Sequence, residues 1–79
     1  MKIKIKLRTI EEVKNFCDYA EKVECDIYVT QGRYIVSAKS IIGIMSLSLL
    51  EGLELSVDTV TDDFTEFLEK IKELGIVRG

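Results

Sequence analysis

The chain has 79 residues, 47% of them apolar and 32% charged, with a formal net charge of −3 and no proline or histidine. That is one soluble globular domain near the lower size limit for a core-stabilised fold, and not a disordered chain. The acidic balance argues against nucleic acid as a partner, which would require a basic surface.

Lys2-Ile3-Lys4-Ile5-Lys6-Leu7 alternates strictly, so it predicts a strand with Ile3, Ile5 and Leu7 on its dry face. The same alternation is unlike a signal or transit sequence, and the longest apolar run, Ile41 to Leu50, is too short to span a bilayer. A cytoplasmic protein without membrane contact is the expectation. Thr9-Ile10-Glu11-Glu12 reads as a capping box opening a helix to about Lys22, with Ile10, Val13, Phe16, Cys17, Ala20 and Val23 on its buried face.

Cys25 to Thr30 predicts a second strand, Gln31-Gly32-Arg33 a tight turn, and Tyr34 to Ala38 a third strand. From Ser40, a capping hydroxyl, the pattern predicts a helix of two to three turns closed by Gly52. Leu53 to Thr59 predicts a fourth strand. Thr61-Asp62-Asp63 supplies N-cap candidates for a last helix carrying Phe64, Phe67, Leu68, Ile71 and Leu74 and stopped at Gly75.

The order is β-α-β-β-α-β-α over residues 1–79 as a single domain. The fold class that buries every stripe is α+β, a two-layer open-faced sandwich with an antiparallel four-stranded sheet covered on one face by three helices. Lys2, Lys4 and Lys6 then lie on the wet face, balanced by Glu54 and Asp58 if the first and fourth strands are neighbours. Two cysteines, Cys17 and Cys25, make no disulfide framework, and Cys17 sits on a buried stripe. No metal-ligand spacing, nucleophile–base pair or phosphate-cradling loop is present. No metal, no cofactor and no enzymatic activity are therefore expected.

The helix after Lys39 is apolar on two sides. Ile41, Ile44 and Leu47 form a stripe suited to the core, while Ile42, Met45 and Leu49 form another at the same spacing. Both cannot face inward on a helix lying over a sheet. The second stripe is a candidate protein-docking surface, against burial under a loop or in a dimer contact.

Lys39-Ser40-Ile41-Ile42-Gly43-Ile44-Met45-Ser46-Leu47 closely resembles the K-S-I-M-G-V-M-S-L signature of HPr, the histidine-containing phosphocarrier of the bacterial sugar phosphotransferase system. The resemblance is strongest from Glu24 to Val57 and implies the sheet order 1-4-2-3. It implies that Ser40 falls on the family's regulatory phosphoserine, with Lys39 beside it, and that Ile42 and Met45 lie in the patch HPr proteins use to dock kinases and regulators. A hydroxyl at Ser40 can cap the helix and also accept phosphate, since both uses aim it at the same amides.

The family's phosphocarrier histidine sits in a G-I-H-A-R-P-A motif. Counting back without a gap places Thr9 at the histidine, Glu11 at the arginine and Glu12 at the proline. A threonine phosphoester lacks the transfer potential of phosphoimidazole, so ordinary phosphocarrier activity is not expected. The expectation is a non-catalytic, HPr-like regulatory protein that is a monomer or weak dimer. Its partners would be an HPr kinase-like enzyme or a transcription regulator; the alternative is a homo-oligomerising module that keeps only the fold.

Overall fold

The computed structural model describes residues 1–48 and 51–77. Its elements are β1 (Lys2–Ile5), α1 (Ile10–Ala20), β2 (Ile27–Gln31), β3 (Tyr34–Ser37), α2 (Ile41–Met45), β4 (Leu53–Val57) and α3 (Asp62–Glu73). The strands form one antiparallel sheet in the order β1-β4-β2-β3. This is the two-layer open-faced sandwich expected from the sequence pattern, with the 1-4-2-3 order that the resemblance implies.

The register explains why one sheet face is dry. Ile3, Leu55, Val29 and Val36 line up across the sheet, flanked by Ile5 with Leu53 and by Ile27 with Val57. Against them pack Val13, Phe16, Cys17 and Ala20 of α1, Ile44 of α2, and Phe64, Phe67 and Ile71 of α3. The rows Lys2–Ser56–Tyr28–Ser37 and Lys4–Glu54–Thr30–Ile35 run across the other face. Lys4 does lie opposite Glu54, but the ion pairs among the described residues are Arg8–Glu12 and Lys70–Glu73, and Asp58 falls beyond β4.

Four expectations are corrected. Ile10 is 65% exposed: as the first residue of α1 it sits past the end of the buried stripe. Leu74 is likewise exposed, at the cap that ends α3 before Gly75 takes its φ of +75°. The third concerns α2, which ends at Met45 and not near Gly52. The Ser46 hydroxyl donates to the Gly43 carbonyl at 2.6 Å, and the Ser46 N–H reaches both Ile42 and Gly43 carbonyls. A side chain that takes a last-turn carbonyl competes with helix propagation, and Gly43 further weakens it. The fourth is Ile41, expected in the core stripe: as the first residue of this short helix it is exposed, while Ile44 and Leu47 are buried.

The two-residue hairpin between β2 and β3 needs positive φ at its first central position only, a type II′ requirement met by Gly32 at +57°. Beyond α3 the chain adds something the sequence did not signal strongly. Ile76 is fully buried, Lys6 N–H donates to its carbonyl at 2.8 Å, and Val77 bridges Ile5. No helix among the described residues is long and apolar enough to cross a membrane.

Thr61 caps α3 by accepting from Phe64 N–H at 3.3 Å, and its hydroxyl is also bonded to Asp63. Asp63 accepts the Glu24 N–H at 2.9 Å, which ties the start of α3 to the chain leaving α1. That amide and the Thr61 hydroxyl hold the Asp63 carboxyl below its ordinary range.

Candidate functional site

Ser40 has extended backbone, φ −103° and ψ 106°, and its Oγ accepts from Gly43 N–H at 3.1 Å. It is an exposed N-cap. Gly43 lets α2 lie close on β3: a Cβ there would stand 3.1 Å from Ser40 Oγ and 3.2 Å from Val36 Cβ. With Ile44 and Leu47 fixed in the core, the opposite side of the helix must face out. Ile42 is 82% and Met45 46% exposed. Lys39 is half-buried, and its N–H bonds the Ser37 hydroxyl at 3.2 Å. Leu49, the remaining residue of that stripe, lies outside the described residues.

The turn after α2 is held by a clamp that sequence reasoning missed. The Gln31 side chain donates to the Ser48 carbonyl at 2.6 Å and accepts the Ser48 N–H at 3.0 Å, so one amide serves as a strand partner for the loop. Glutamine in a hairpin carries no spacing signal that would have revealed it.

Thr9 is the N-cap of α1, exposed, with Oγ1 accepting Glu12 N–H at 3.0 Å. The capping box is altered in its second half. Glu12 reaches one residue further back, and Oε1 accepts the Arg8 N–H at 2.7 Å rather than that of Thr9. The Arg8 guanidinium bonds the same carboxylate at 3.2 Å and the Gly75 carbonyl at 3.1 Å. A cation therefore stands next to Thr9, but it is committed to Glu12 and to the end of α3. Glu11 is exposed in the first turn. α1 and α2 pack against each other, which sets the two candidate regions, Thr9 and Ser40, on adjoining helices.

Arg8's N–H, and then its guanidinium, lower the Glu12 carboxyl against a partial desolvation that raises it. Glu12 and Asp63 are both depressed in the folded state. Their stabilisation is therefore present above the unfolded values, about 4.3 for the glutamate and about 3.9 for the aspartate, and is lost as pH falls through the lower folded values. The double variant Glu12→Gln/Asp63→Asn is expected to show a flatter fall of melting temperature below about pH 4 than the parent. Parallel acid limbs in a calorimetric pH series would contradict this.

Cys17 and Cys25 are both free thiols. Burial, helped by Asp18 and Glu21, pushes Cys17 up to about 11, so it stays protonated and inert near neutrality. Cys25 lies 3.6 Å from Thr61 Oγ1. Among the described residues no three His, Cys, Asp or Glu side chains are grouped to hold a metal ion. A groove of about 320 Å³ runs between α1 and α3 beside Tyr19, Phe67 and Glu69, and a second of about 350 Å³ lies at the β2–β3 hairpin. Neither includes Thr9, Ser40, Ile42 or Met45.

The sequence profile of a family described as the PTS HPr component phosphorylation site matches residues 11–75. The match contains Ser40, Ile42 and Met45 and begins two residues after Thr9. No match was found among curated protein sequences. Among solved structures, the chain is similar to HPr-C-His from Thermoanaerobacter tengcongensis at 32% identity and TM-score 0.71, covering 94% of this chain and 86% of that one. It is similar to a structure described as an HPr dimer from the same organism at 28% identity and TM-score 0.64, covering 87% and 82%. A phosphocarrier protein HPr from Bacillus anthracis shares the fold at 22% identity and TM-score 0.65, covering 90% of each chain.

Proposed function

Because this chain belongs to the HPr family of the phosphotransferase system, we propose that it works as a non-catalytic docking and regulatory protein through α2 and not as a histidine phosphocarrier. One observation carries the reading: an HPr fold with no histidine anywhere still holds Ile42 and Met45 out in solvent. Burying those side chains in a partner removes apolar surface from water, whereas leaving them exposed gives the monomer nothing.

Thr9, at the position the family resemblance assigns to the histidine, has its hydroxyl occupied by capping. Glu11 in the first turn opposes an incoming phosphoryl donor, and the Arg8 guanidinium that could attract one is held by Glu12. Ser40 is the candidate switch. Phosphate on it would add about −1.5 to −2 of charge beside Ile42 and so alter what docks there. Lys39, the residue before it, is the candidate to steady that charge.

Two incubations test this, each read by intact mass. An HPr kinase with ATP is expected to add one phosphate, at Ser40; an unchanged mass removes the switch. Phosphoenolpyruvate with the general enzyme of the cascade is expected to add none, and phosphate accepted and passed onward would sink the reading. A second reading, a self-associating module, is favoured by the relative described as an HPr dimer.

A further inference from the structure

The two edges of the sheet are treated differently. β1 is covered along part of its length by the C-terminal segment, through the Ile5–Val77 bridge and the Lys6–Ile76 hydrogen bond. β3 is the other edge, and among the described residues no strand pairs along its outer side. Edge strands are ordinarily blunted by charge, proline or a bulge. Tyr34-Ile35-Val36-Ser37 has no charge and no proline, and its register with β2 runs without a break. Tyr34 is 69% and Ile35 67% exposed, the first on the helix-covered side and the second on the open face.

The main chain says what would cover it. Ala38 N–H bonds the Ile27 carbonyl at 2.9 Å, and Val36 lies opposite Val29. Hydrogen-bonded pairs alternate in an antiparallel ladder, so they fall at Tyr34, Val36 and Ala38, and the amide groups of Ile35 point off the sheet. The Ser37 carbonyl already accepts Ser40 N–H at 3.1 Å. Ile35 is thus left with both a free donor and a free acceptor.

We infer that β3 is a self-association edge, pairing antiparallel with β3 of a second copy of this chain. Two identical antiparallel strands are related by a two-fold axis, so a single patch serves both sides of the contact. With the axis at Ile35, each Ile35 N–H meets the other copy's Ile35 carbonyl. The two isoleucines then stand opposite each other on the open face, and Tyr34 stands opposite Val36 of the second copy on the helix side. An axis at Val36 would instead set Arg33 against Lys39, two like charges. With the axis at Ile35 the uncharged strands meet without like charges opposite each other along their length. Four residues per copy fall short of the roughly 1,200–2,000 Å² that a stable interface buries, so the dimer is weak and grows with concentration.

The inference rests on the self-association reading above and is independent of Ser40. Sedimentation velocity on the full chain from about 10 µM to about 1 mM decides it. The parent is expected to shift toward dimer as concentration rises. Ile35→Lys should raise Kd about tenfold by replacing an apolar cross-strand pair with two like charges opposite each other at the axis, while Met45→Asp leaves Kd unchanged. Ile35→Thr, which keeps a β-branched residue, is the second variant should the lysine disturb folding, and is expected to weaken the dimer less. Slowed amide exchange at Ile35 in concentrated samples is the matching signature. A dimer lost in Met45→Asp but kept in Ile35→Lys overturns the β3 contact while preserving self-association. So does a dimer indifferent to both. A monomer at every concentration overturns both.

Discussion

Phe67→Ala is expected to lower the melting temperature by at least about 12 °C, from a loss of roughly 3–4 kcal/mol at about 4–8 °C per kcal/mol for a domain of this size. Phe67 is the hub of the α1–α3 seam. Its ring lies 5.5 Å from that of Phe16 and 6.1 Å from that of Phe64, both tilted arrangements that add to the burial energy. Removing it strips the apolar contact from two helices at once and leaves a gap beside two rings that are themselves fully buried. The residue also walls the α1–α3 groove, so water fills part of the space, and the loss falls short of the largest core truncations. Total stability at this chain length is of the order of 4–12 kcal/mol, so the variant loses much of its margin. Circular dichroism melts of parent, Phe67→Leu and Phe67→Ala should rank in that order, and a shift below about 5 °C for alanine would refute the hub.

That seam was legible because periodicity and burial agree wherever an element is long. α1 and α3 run three turns each, and β1, β2 and β4 keep a strict alternation, so the dry face could be read directly. The reading failed where a few residues decide an ending. Ser40 does open the helix, yet α2 stops at Met45, well short of Gly52, because Ser46 takes the Gly43 carbonyl. A serine inside an apolar run gives no sign of whether it will point to solvent or bond back on the helix. Ile10 departs from the stripe for a related reason: the stripe is set by the middle of a helix, and its first residue has no preceding turn to bury it.

At the candidate site the sequence identified residue types better than their commitments. The signature around Ser40 and the absence of histidine could be read letter by letter. Nothing in the letters said that Arg8, one residue before Thr9, would supply a cation already bound to Glu12 and Gly75. The two partners of Arg8 lie four and sixty-seven residues away, and only tertiary packing joins them. The Gln31–Ser48 clamp is long-range in the same way. The consequence is functional: the helix that presents Ile42 is secured at its start by a cap and at the following turn by a side chain from the neighbouring hairpin. The proposed docking surface is therefore positioned before any partner arrives, which would reduce the ordering cost of binding.

Ile42→Asp is expected to separate docking from folding more sharply than any other change. The side chain is almost wholly in solvent at the second position of α2, where a carboxylate suits the helix N-terminus. The fold should therefore change by no more than about 0.5 kcal/mol. At an interface the same carboxylate would be desolvated without a cation to pair it, and binding should weaken by about 2 kcal/mol, roughly thirtyfold in Kd. An HPr kinase titrated calorimetrically with parent, Ile42→Ser and Ile42→Asp is the direct measurement, because affinity is read whether or not Ser40 is phosphorylated. A graded loss from serine to aspartate, with unchanged melting temperatures, places Ile42 in the contact. Equal affinities across the three would mean that partners approach another face, and that the exposed isoleucine of α2 does not do the work assigned to it. The contrast within the same helix is the internal control: Ile44→Asp, at a fully buried position one residue past Gly43, should unfold the domain rather than spare it.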